Sequence, residues 1–599
     1  MITIQRIDRN RISMRCHYAY RQRCHEVPGA VFDYDRKVWV APLDSLPFVK
    51  AIFAGEIYYK TPLWQLEGKA EPPKKPIEYL GPVPSLPTLE IKPYAYQEDG
   101  IRFMIDRLIN GGSHFVLNGD GVGLGKTLMT IASLKWLVEN RGARKILIVC
   151  KKSLKAQWES EIRRIAGWTE APIFLTGGTT KKQKLKAYKG IQEAANGILI
   201  ANYQDFLNWK DEIDKVDYDV CVIDEAHCVK GRDGKMNNLI ADTCNGKRTI
   251  LLTGTPVMSR PDDIWGIVRL ATPNFFGSYE EFKKEFLVEE FNTKYYQWET
   301  VGAKNLDKLQ DMLSRFLIMR TPEDAAIELP KLRKARHISC PMDDVQEQLL
   351  AVVEKRKKEQ DELREKIVSE EGYTKESKIK IDRINDMAKM FIASMQYIAS
   401  DPAVLRERYR KDDPDMQDED KRKINMQLLN MLPASYKMSS KTQAAIDLVS
   451  ELVDADEKVI VFCFYKSTAM MLLDHFKKIP GANPKVFTGG TTDTERDIAI
   501  KAFRNDPECR VLIGNDAMCE GLNLQVSRNI IHFEQAANCS KREQRDGRIR
   551  RIGSKYEYVN ITDICTENSF DERKIAILRR QYNESRGTLG SVGSYGRGA

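Results

Sequence analysis

The chain has 599 residues, 42% hydrophobic and 30% charged, with ordinary glycine and proline content, which excludes a fibrous or low-complexity protein. Its 94 basic against 85 acidic residues leave a net charge of +9, which permits a polyanionic partner without requiring one. At roughly 150 residues per domain, about four domains or sub-domains are expected. Twelve cysteines occur with no Cys-x-x-Cys pair, the usage of reduced thiols rather than of a disulfide framework or zinc ribbon. Met1 to Arg6 reaches charge too early for a signal peptide's apolar core, and runs such as Lys145–Cys150 are far shorter than the ~20 residues that span a bilayer. A cytoplasmic location is the expectation, with no membrane partner.

Residues 1–65 mix short β-like runs with turns. Val31 to Val40 reads as a hairpin with charges at its bend, and Asp44 to Phe53 as a short helix with Asp44 as N-cap and Pro47 in the first turn. Cys16-His17 and Cys24-His25 invite a zinc reading, but adjacent Cys-His pairs fit one tetrahedral ion poorly, and buried thiols are the simpler expectation. Across 66–93 the prolines Pro72, Pro73, Pro76, Pro82, Pro84, Pro87 and Pro93 predict an extended linker.

From 94 to 335, short buried-type strands (Lys145–Cys150, Gly197–Ala201, Val220–Ile223, Thr249–Leu252) alternate with helical stretches, the rhythm of a helix-covered parallel sheet. Residues 336–435 break it with a charged, helix-favouring insertion, in which Lys355-Arg356-Lys357-Lys358 reads as a solvated helical face rather than a DNA clamp. The rhythm resumes across 436–580 with Val459–Phe464, Lys485–Phe487, Arg510–Ile513 and Asn529–Phe533. The expected fold class is α/β, two parallel-sheet domains with a helical insertion and a small β-rich N-terminal module. A Gly- and Ser-rich tail at 581–599 is expected to be disordered.

Asp120-Gly121-Val122-Gly123-Leu124-Gly125-Lys126-Thr127 lies between the apolar Phe115-Val116-Leu117 and a helical stretch from Leu128. Strand, glycine loop and helix are the setting of a phosphate loop, where close-approaching N–H groups and the helix N-terminus hold anions. Lys126 is expected at the β- and γ-phosphates of ATP, and the Thr127 hydroxyl on Mg²⁺. Asp120 stands where the first glycine of G-x-x-x-x-G-K-[ST] belongs. Further on, Val220-Cys221-Val222-Ile223 runs into Asp224-Glu225-Ala226-His227. Asp224 is expected to hold Mg²⁺, Glu225 to act as general base on water, and His227 to link elements and report the nucleotide state.

With these motifs the sequence resembles superfamily-two helicases, and more closely the Swi/Snf-type ATPases, over about 91–577. The resemblance implies two RecA-like lobes. Tyr94-Ala95-Tyr96-Gln97-Glu98-Asp99-Gly100 looks like the Q-motif equivalent, implying that Tyr96 and Gln97 serve the nucleotide and that Gln97 reads the adenine edge. Asp120, Gly121, Val122, Gly123, Leu124 and Gly125 match this family's form of the phosphate loop. Val149–Leu154 with Gln157-Trp158 resembles motif Ia, implying DNA-backbone contacts from Ser153 and Gln157. Leu252-Thr253-Gly254-Thr255-Pro256 resembles motif III, implying that Thr253 and Thr255 couple hydrolysis to lobe movement. Phe316-Leu317-Ile318-Met319-Arg320-Thr321 looks like the exit from the first lobe.

Val459–Phe462 resembles motif IV, and Gly489–Arg496 the glycine-serine-threonine segment, with Thr491 for serine. Glu520-Gly521-Leu522-Asn523-Leu524 resembles motif V, giving Gly521 a coupling role. Gln544-Arg545-Asp546-Gly547-Arg548-Ile549-Arg550-Arg551-Ile552-Gly553 resembles motif VI. Arg548 and Arg551, taken as one helical turn apart on a shared face, would stabilise charge on the transferring γ-phosphoryl group, and Gln544 would help to place the water or that group. Ser554 replaces the family's glutamine, and Ala536-Ala537-Asn538-Cys539 its Trp-Asn-Pro, departures that bear on substrate handling rather than on ATP.

Pro256–Pro261, Trp265 and Phe275–Phe282 look most like the fork-remodelling, annealing-helicase branch, whose HARP-type module the N-terminal hairpin faintly resembles. The resemblance implies a monomeric, DNA-dependent ATPase of prokaryotic or phage origin that translocates on duplex or branched DNA without sequence preference, alongside replication, repair or polymerase proteins. Fork regression or strand annealing would be its output. The alternatives are a remodeller of protein–DNA complexes, such as a polymerase-recycling ATPase, and a nucleotide-gated DNA-binding switch.

Overall fold

In this computed structural model the described residues are 2–8, 10–16, 20–34, 38–53, 57–59, 77–176, 181–231, 234–254, 262–292, 297–321, 329–333, 336–372, 374–408, 417–519, 522, 524–551 and 554–589. They form two compact units, Met1–Glu290 with Glu299–Ile327 and Arg580–Ala599, and Phe291–Trp298 with Glu328–Arg579.

The chain opens in a five-stranded sheet of β1 (Ile2–Arg6), β2 (Arg11–Cys16), β3 (Val31–Asp33), β4 (Val38–Pro42) and β5 (Ile57–Tyr59), in the order β3-β4-β2-β1-β5. β3 and β4 are the expected hairpin, with Phe32 opposite Trp39, and its bend at 35–37 lies outside the described residues. Ile2, Ile4, Ile12, Met14, Trp39, Val49 and Phe53 form the core of this module. The short helix starts later than expected, at Leu46. Asp44 is not its cap, because Leu43–Ser45 tightens into a 3₁₀ turn that puts Ser45 at the N-cap and Pro47 in the first turn. Cys16 Sγ and Cys24 Sγ lie 3.3 Å apart, while the His25 ring stands edge-on to Trp39 at 4.5 Å. His17 lies outside the described residues.

The proline-rich stretch departs from the expectation of a linker. Its described part, 77–93, is a strap tied onto the first unit. Asp106 Oδ2 and Oδ1 accept from Leu80 N and Gly81 N at 2.9 and 3.2 Å, and Glu90 N donates to Ile165 O at 3.1 Å. Ile77, Leu86, Leu89 and Ile91 pack against the core. Proline removes ladder donors but leaves apolar side chains and carbonyls free to dock, so an extended chain can adhere without joining a sheet.

The first unit's main sheet comprises β6 (Phe115–Asn118), β7 (Lys145–Cys150), β8 (Ile173–Leu175), β9 (Gly197–Asn202), β10 (Val220–Asp224), β11 (Arg248–Leu252) and, after a two-stranded sheet of β12 (Leu287–Asn292) and β13 (Gln297–Ala303), β14 (Leu317–Ile318). Its order is β14-β6-β11-β10-β7-β9-β8, parallel throughout. Alternate residues serve two cores: Leu147, Val149, Ile223 and Leu251 face one, and Ile146, Ile148, Val222 and Ile250 the other. This double burial explains the continuous apolar runs in the sequence.

The second sheet joins β15 (Lys331–Leu332), β16 (Arg336–Cys340), β17 (Val459–Phe462), β18 (Lys485–Phe487), β19 (Val511–Gly514), β20 (Asn529–His532) and β21 (Tyr558–Thr566). Its order is β15-β21-β20-β17-β19-β18, with β16 also on β21. Both β15 and β16 pair with β21, so residues 331–332 and 336–340 belong to this sheet rather than to the first lobe and insertion that the boundary at 335 implies. Two or five residues are too short to reveal from sequence which sheet they join. The insertion is helical, led by the antiparallel-packed helices Asp344–Glu371 and Lys375–Ser400. In it Arg356, Lys357 and Lys358 pair with Glu359, Asp361 and Glu362 at 3.1, 3.0 and 3.9 Å, a solvated face as expected. The last helix, Phe570–Leu589, runs into the stretch expected to be disordered, because Asp571 and Glu572 favour its first turn and no proline interrupts it. No described helix is long and apolar enough to cross a membrane.

Candidate active site

Strands β14, β6, β11 and β10 are neighbours, so their C-terminal ends bring Arg320, the phosphate loop, Thr253-Gly254 and Asp224-Glu225 side by side. This is where parallel α/β sheets gather ligands. The loop Asp120–Gly125 delivers the chain into the helix Lys126–Arg141, with Gly123 and Gly125 at φ of 89° and 81°, left-handed values that glycine adopts without strain. Lys126 Nζ donates to Asp120 O at 2.7 Å and Gly121 O at 3.2 Å, and Thr127 is the second residue of the helix. A Cβ at Gly254 would stand 3.4 Å from Val122 Cγ2 and 3.6 Å from Lys126 Nζ, so the strand-β11 loop overlies the phosphate loop.

Tyr96 and Gln97 both meet this loop. Tyr96 Oη donates to Leu124 O at 2.8 Å and Gln97 Nε2 to the same oxygen at 3.3 Å, while Gln97 Oε1 accepts from Tyr94 N at 3.0 Å. A Cβ on Gly125 would fall 2.3 Å from Gln97 Nε2. Each polar end of the Gln97 amide thus makes one bond to protein and braces the loop, with a second donor and a second acceptor position left over. Asp120 likewise turns its carboxylate inward, fully buried against Arg320, and offers the loop only its backbone.

Asp224 ends β10, and Glu225 follows at φ 55°, ψ 47°, a left-handed conformation that is costly for a non-glycine residue and typical of functional turns. Burial, then the neighbouring Glu225 charge, pushes the Asp224 carboxyl up to about 7, opposed by the bond from Trp158 and by Lys126 and Lys151. Trp158 Nε1 donates to Asp224 Oδ2 at 2.9 Å, and Tyr203 Oη to Asp224 O. His227 Nδ1 stands 3.0 Å from Thr253 Oγ1 and 3.2 Å from Glu225 Oε2, joining the two strand ends. Thr255 lies outside the described residues, and Ser153 and Gln157 are exposed near the end of β7.

In the second unit the motif-VI helix Cys539–Asp546 stops before Arg548 and Arg551. Arg548 and Arg551 therefore do not share a helical face, because the backbone tightens through Arg548 N to Arg545 O and Ile549 N to Asp546 O. They converge by another route: Arg548 Nη1 and Arg551 Nη1 both reach Leu522 O, at 2.8 and 3.4 Å, and Arg548 Nε donates to Gln544 O at 3.1 Å. Gln544 is buried, its Oε1 without a hydrogen-bond partner among the described residues. Gly521 lies outside the described residues. Behind the helix, Arg542 bridges Asp546 and Asp563, and His532 Nε2 bonds Asp546 Oδ1 at 2.8 Å.

Sequence reasoning gave no role to Trp158 or Tyr203, and none beyond a lobe exit to Arg320. It also missed Lys466, whose Nζ would lie 2.7 Å from a Cβ on Gly490, in the loop where Arg496 donates to Thr488 O and Gly489 O. Basic side chains folded over a glycine loop at a strand end are the available signal.

A phosphate loop on one parallel sheet and an arginine motif on a second are the two halves of a helicase-like P-loop ATPase. The SNF2-related domain matches residues 96–397, and the helicase conserved C-terminal domain matches 440–553. The chain belongs to the SNF2-related family. It is 27% identical over 474 residues to the uncharacterized ATP-dependent helicase YqhH of Bacillus subtilis, covering 77% of this chain and 73% of that protein. It is 24% identical over 525 residues to the TATA-binding protein-associated factor mot1 of Schizosaccharomyces pombe, covering 82% of this chain but only 26% of that relative's length. The Sulfolobus solfataricus SWI2/SNF2 ATPase core in complex with dsDNA is 22% identical, with 85% of this chain and 96% of that one covered and a TM-score of 0.37.

Proposed function

We propose that the chain is an ATP-driven translocase on duplex DNA, with fork regression or strand annealing as its output. The supporting observation is the convergence of Lys126, Asp224, Glu225 and the His227–Thr253 pair at the ends of β6, β10 and β11. The donor set fits a Mg²⁺–nucleotide: the glycine loop and Lys126 suit phosphates, and the Thr127 hydroxyl and Asp224 carboxylate are hard oxygen ligands. Thr127 and Asp224 would hold Mg²⁺, which would supply charge neutralisation at the phosphates; Glu225 would take a proton from the attacking water, and Arg548 and Arg551 would supply guanidinium charge. Ser153 and Gln157 face solvent where backbone phosphates can reach them, a grip that tolerates any sequence and weakens with salt. The N-terminal module, which exposes Arg11, Arg15, Arg21, Tyr34 and Phe48, is assigned to branched-DNA capture, in keeping with an annealing-helicase role in a bacterium or phage.

Phosphate release measured with duplex, single-stranded, forked and RNA cofactors tests this reading. Stimulation by duplex and forked DNA is expected, and preferential stimulation by RNA overturns it. The likeness to a factor named for its association with a TATA-binding protein is in keeping with a second reading, remodelling of protein–DNA complexes. ATP-dependent displacement of a bound protein without movement of a branch point would select it.

A further inference from the structure

Arg320 is the second residue after β14, and the chain passes into the second unit shortly beyond it. It is almost fully buried, and its whole guanidinium is committed to protein. Nε donates to Asp120 Oδ1 at 3.0 Å and Nη2 to Asp120 Oδ2, a bidentate fork on a carboxylate that is itself fully buried. Nη1 donates to Tyr96 O, and the guanidinium carbon lies 5.1 Å from the centre of the Tyr96 ring. The backbones are joined too: Gly119 N donates to Ile318 O at 2.7 Å and Gly121 N to Arg320 O at 2.9 Å. Gly100 makes the room, since a Cβ there would fall 2.6 Å from Arg320 Nη2.

We propose that Arg320 is the positioning residue of the phosphate loop: by clamping Asp120 it fixes the loop's first corner, and through Asp120 and Tyr96 it sets the carbonyl that holds Lys126 and the hydroxyl that holds the Leu124 carbonyl. Asp120 O accepts from Lys126 Nζ at 2.7 Å, and Tyr96 Oη donates to Leu124 O at 2.8 Å, so one guanidinium governs both ends of the loop. This accounts for an aspartate at a glycine position. A side chain at that corner is tolerated because it points into the protein and meets a planar partner, which a lysine's single ammonium cannot replace. Arg320 touches neither phosphate nor metal, and it acts through the loop at the point where the chain leaves the first unit.

The inference rests on the ATPase reading for its kinetic arm alone. Full-length wild type, Arg320→Lys, Arg320→Met, Asp120→Asn and the Asp120→Asn/Arg320→Met double variant are compared in two ways. Hydrogen exchange of the peptide 119–127 is followed in nucleotide-free protein, and KM for ATP and kcat are measured with saturating duplex DNA. Arg320→Lys should exchange that peptide about tenfold faster and raise KM about tenfold, with kcat changed less than about threefold and the unfolding midpoint retained. The double variant should be no worse than Arg320→Met. Unchanged exchange of 119–127 in Arg320→Lys and Arg320→Met, additive effects in the double variant, or faster exchange spread across the whole first unit would overturn the clamp. If wild type lacks turnover, the proposed function falls, while the exchange arm still decides the clamp.

Discussion

Trp158 Nε1 donates to Asp224 Oδ2 across 2.9 Å, tying the helix Lys155–Ala166 to the carboxylate at the end of β10. Asp224 is the residue assigned to the metal, and burial disfavours its charged form. The indole offsets part of that penalty and fixes which oxygen remains available. Trp158→Phe keeps the packing but removes the donor. A hydrogen bond to a charged group contributes about 1.5–3 kcal/mol, so the Mg²⁺ concentration for half-maximal ATP hydrolysis should rise about tenfold or more. A Mg²⁺ titration at fixed ATP measures it, and an unshifted titration would show that the indole only packs.

Gly266, in the helix Asp263–Val268, presses on the turn that follows Asp224–His227. A Cβ there would stand 2.0 Å from Lys230 O, a backbone atom that cannot swing aside. Asn237 Nδ2 stitches the same contact, donating to Val229 O at 2.7 Å and Gly266 O at 3.0 Å. Gly266→Ala should therefore cost about 1–3 kcal/mol in urea unfolding and lower ATP turnover by displacing Glu225 and His227. Unchanged stability together with normal turnover would mean that the helix shifts freely.

Glu534 anchors the second sheet. Its Oε2 accepts from Phe464 N and Tyr465 N at 2.6 and 3.1 Å, and its Oε1 from Ser400 and Thr468 hydroxyls at 2.7 and 3.0 Å, with the side chain fully buried. Glu534→Gln can keep its oxygen on the two backbone donors only by turning its NH2 to the Ser400 and Thr468 hydroxyls, which must then accept, and it loses the charge that strengthens all four bonds. A loss of about 2–4 kcal/mol is expected from chemical denaturation followed by far-UV circular dichroism. A loss below about 1 kcal/mol would show that the site relaxes around the amide.

What was legible in the sequence followed from residue chemistry that acts locally. Glycines beside Lys126-Thr127 and a carboxylate pair after an apolar run need only their own strand and turn to be recognised, and both sheets could be read from doubly buried runs. What escaped depends on partners far along the chain. Arg320 meets Asp120 across 200 residues, and nothing near either shows that the carboxylate turns inward. An amide at Gln97 suits adenine, but that Leu124 O and Tyr94 N also orient it is invisible in its neighbours. Arg548 and Arg551 were placed on a helix by spacing alone, whereas the helix ends at Asp546 and a carbonyl at Leu522 gathers them. The strap at 77–93 looked like a linker because proline content reports what a chain cannot form, not what it can dock against.

Asp563 gives the second unit a pH signature. Burial alone would raise its carboxyl, but the Arg542 guanidinium, 2.7 Å from Oδ1, outweighs it and draws the carboxyl down to about 2 from an ordinary 3.8. A folded-state value below the unfolded one means that the anion is stabilised by folding. That contribution is complete above the unfolded value and is lost as pH falls through the folded one. The shift corresponds to about 2 kcal/mol. Asp563→Asn should thus be less stable than wild type by at least about that amount at pH 7, the gap holding down to about pH 5 and narrowing between pH 4 and pH 2.5. Paired urea unfolding curves across this range decide it: a gap that stays constant or widens toward pH 2.5 would mean that Arg542 does not hold Asp563 as an anion, and that Asp546 and His532 carry the network behind the arginine motif without it.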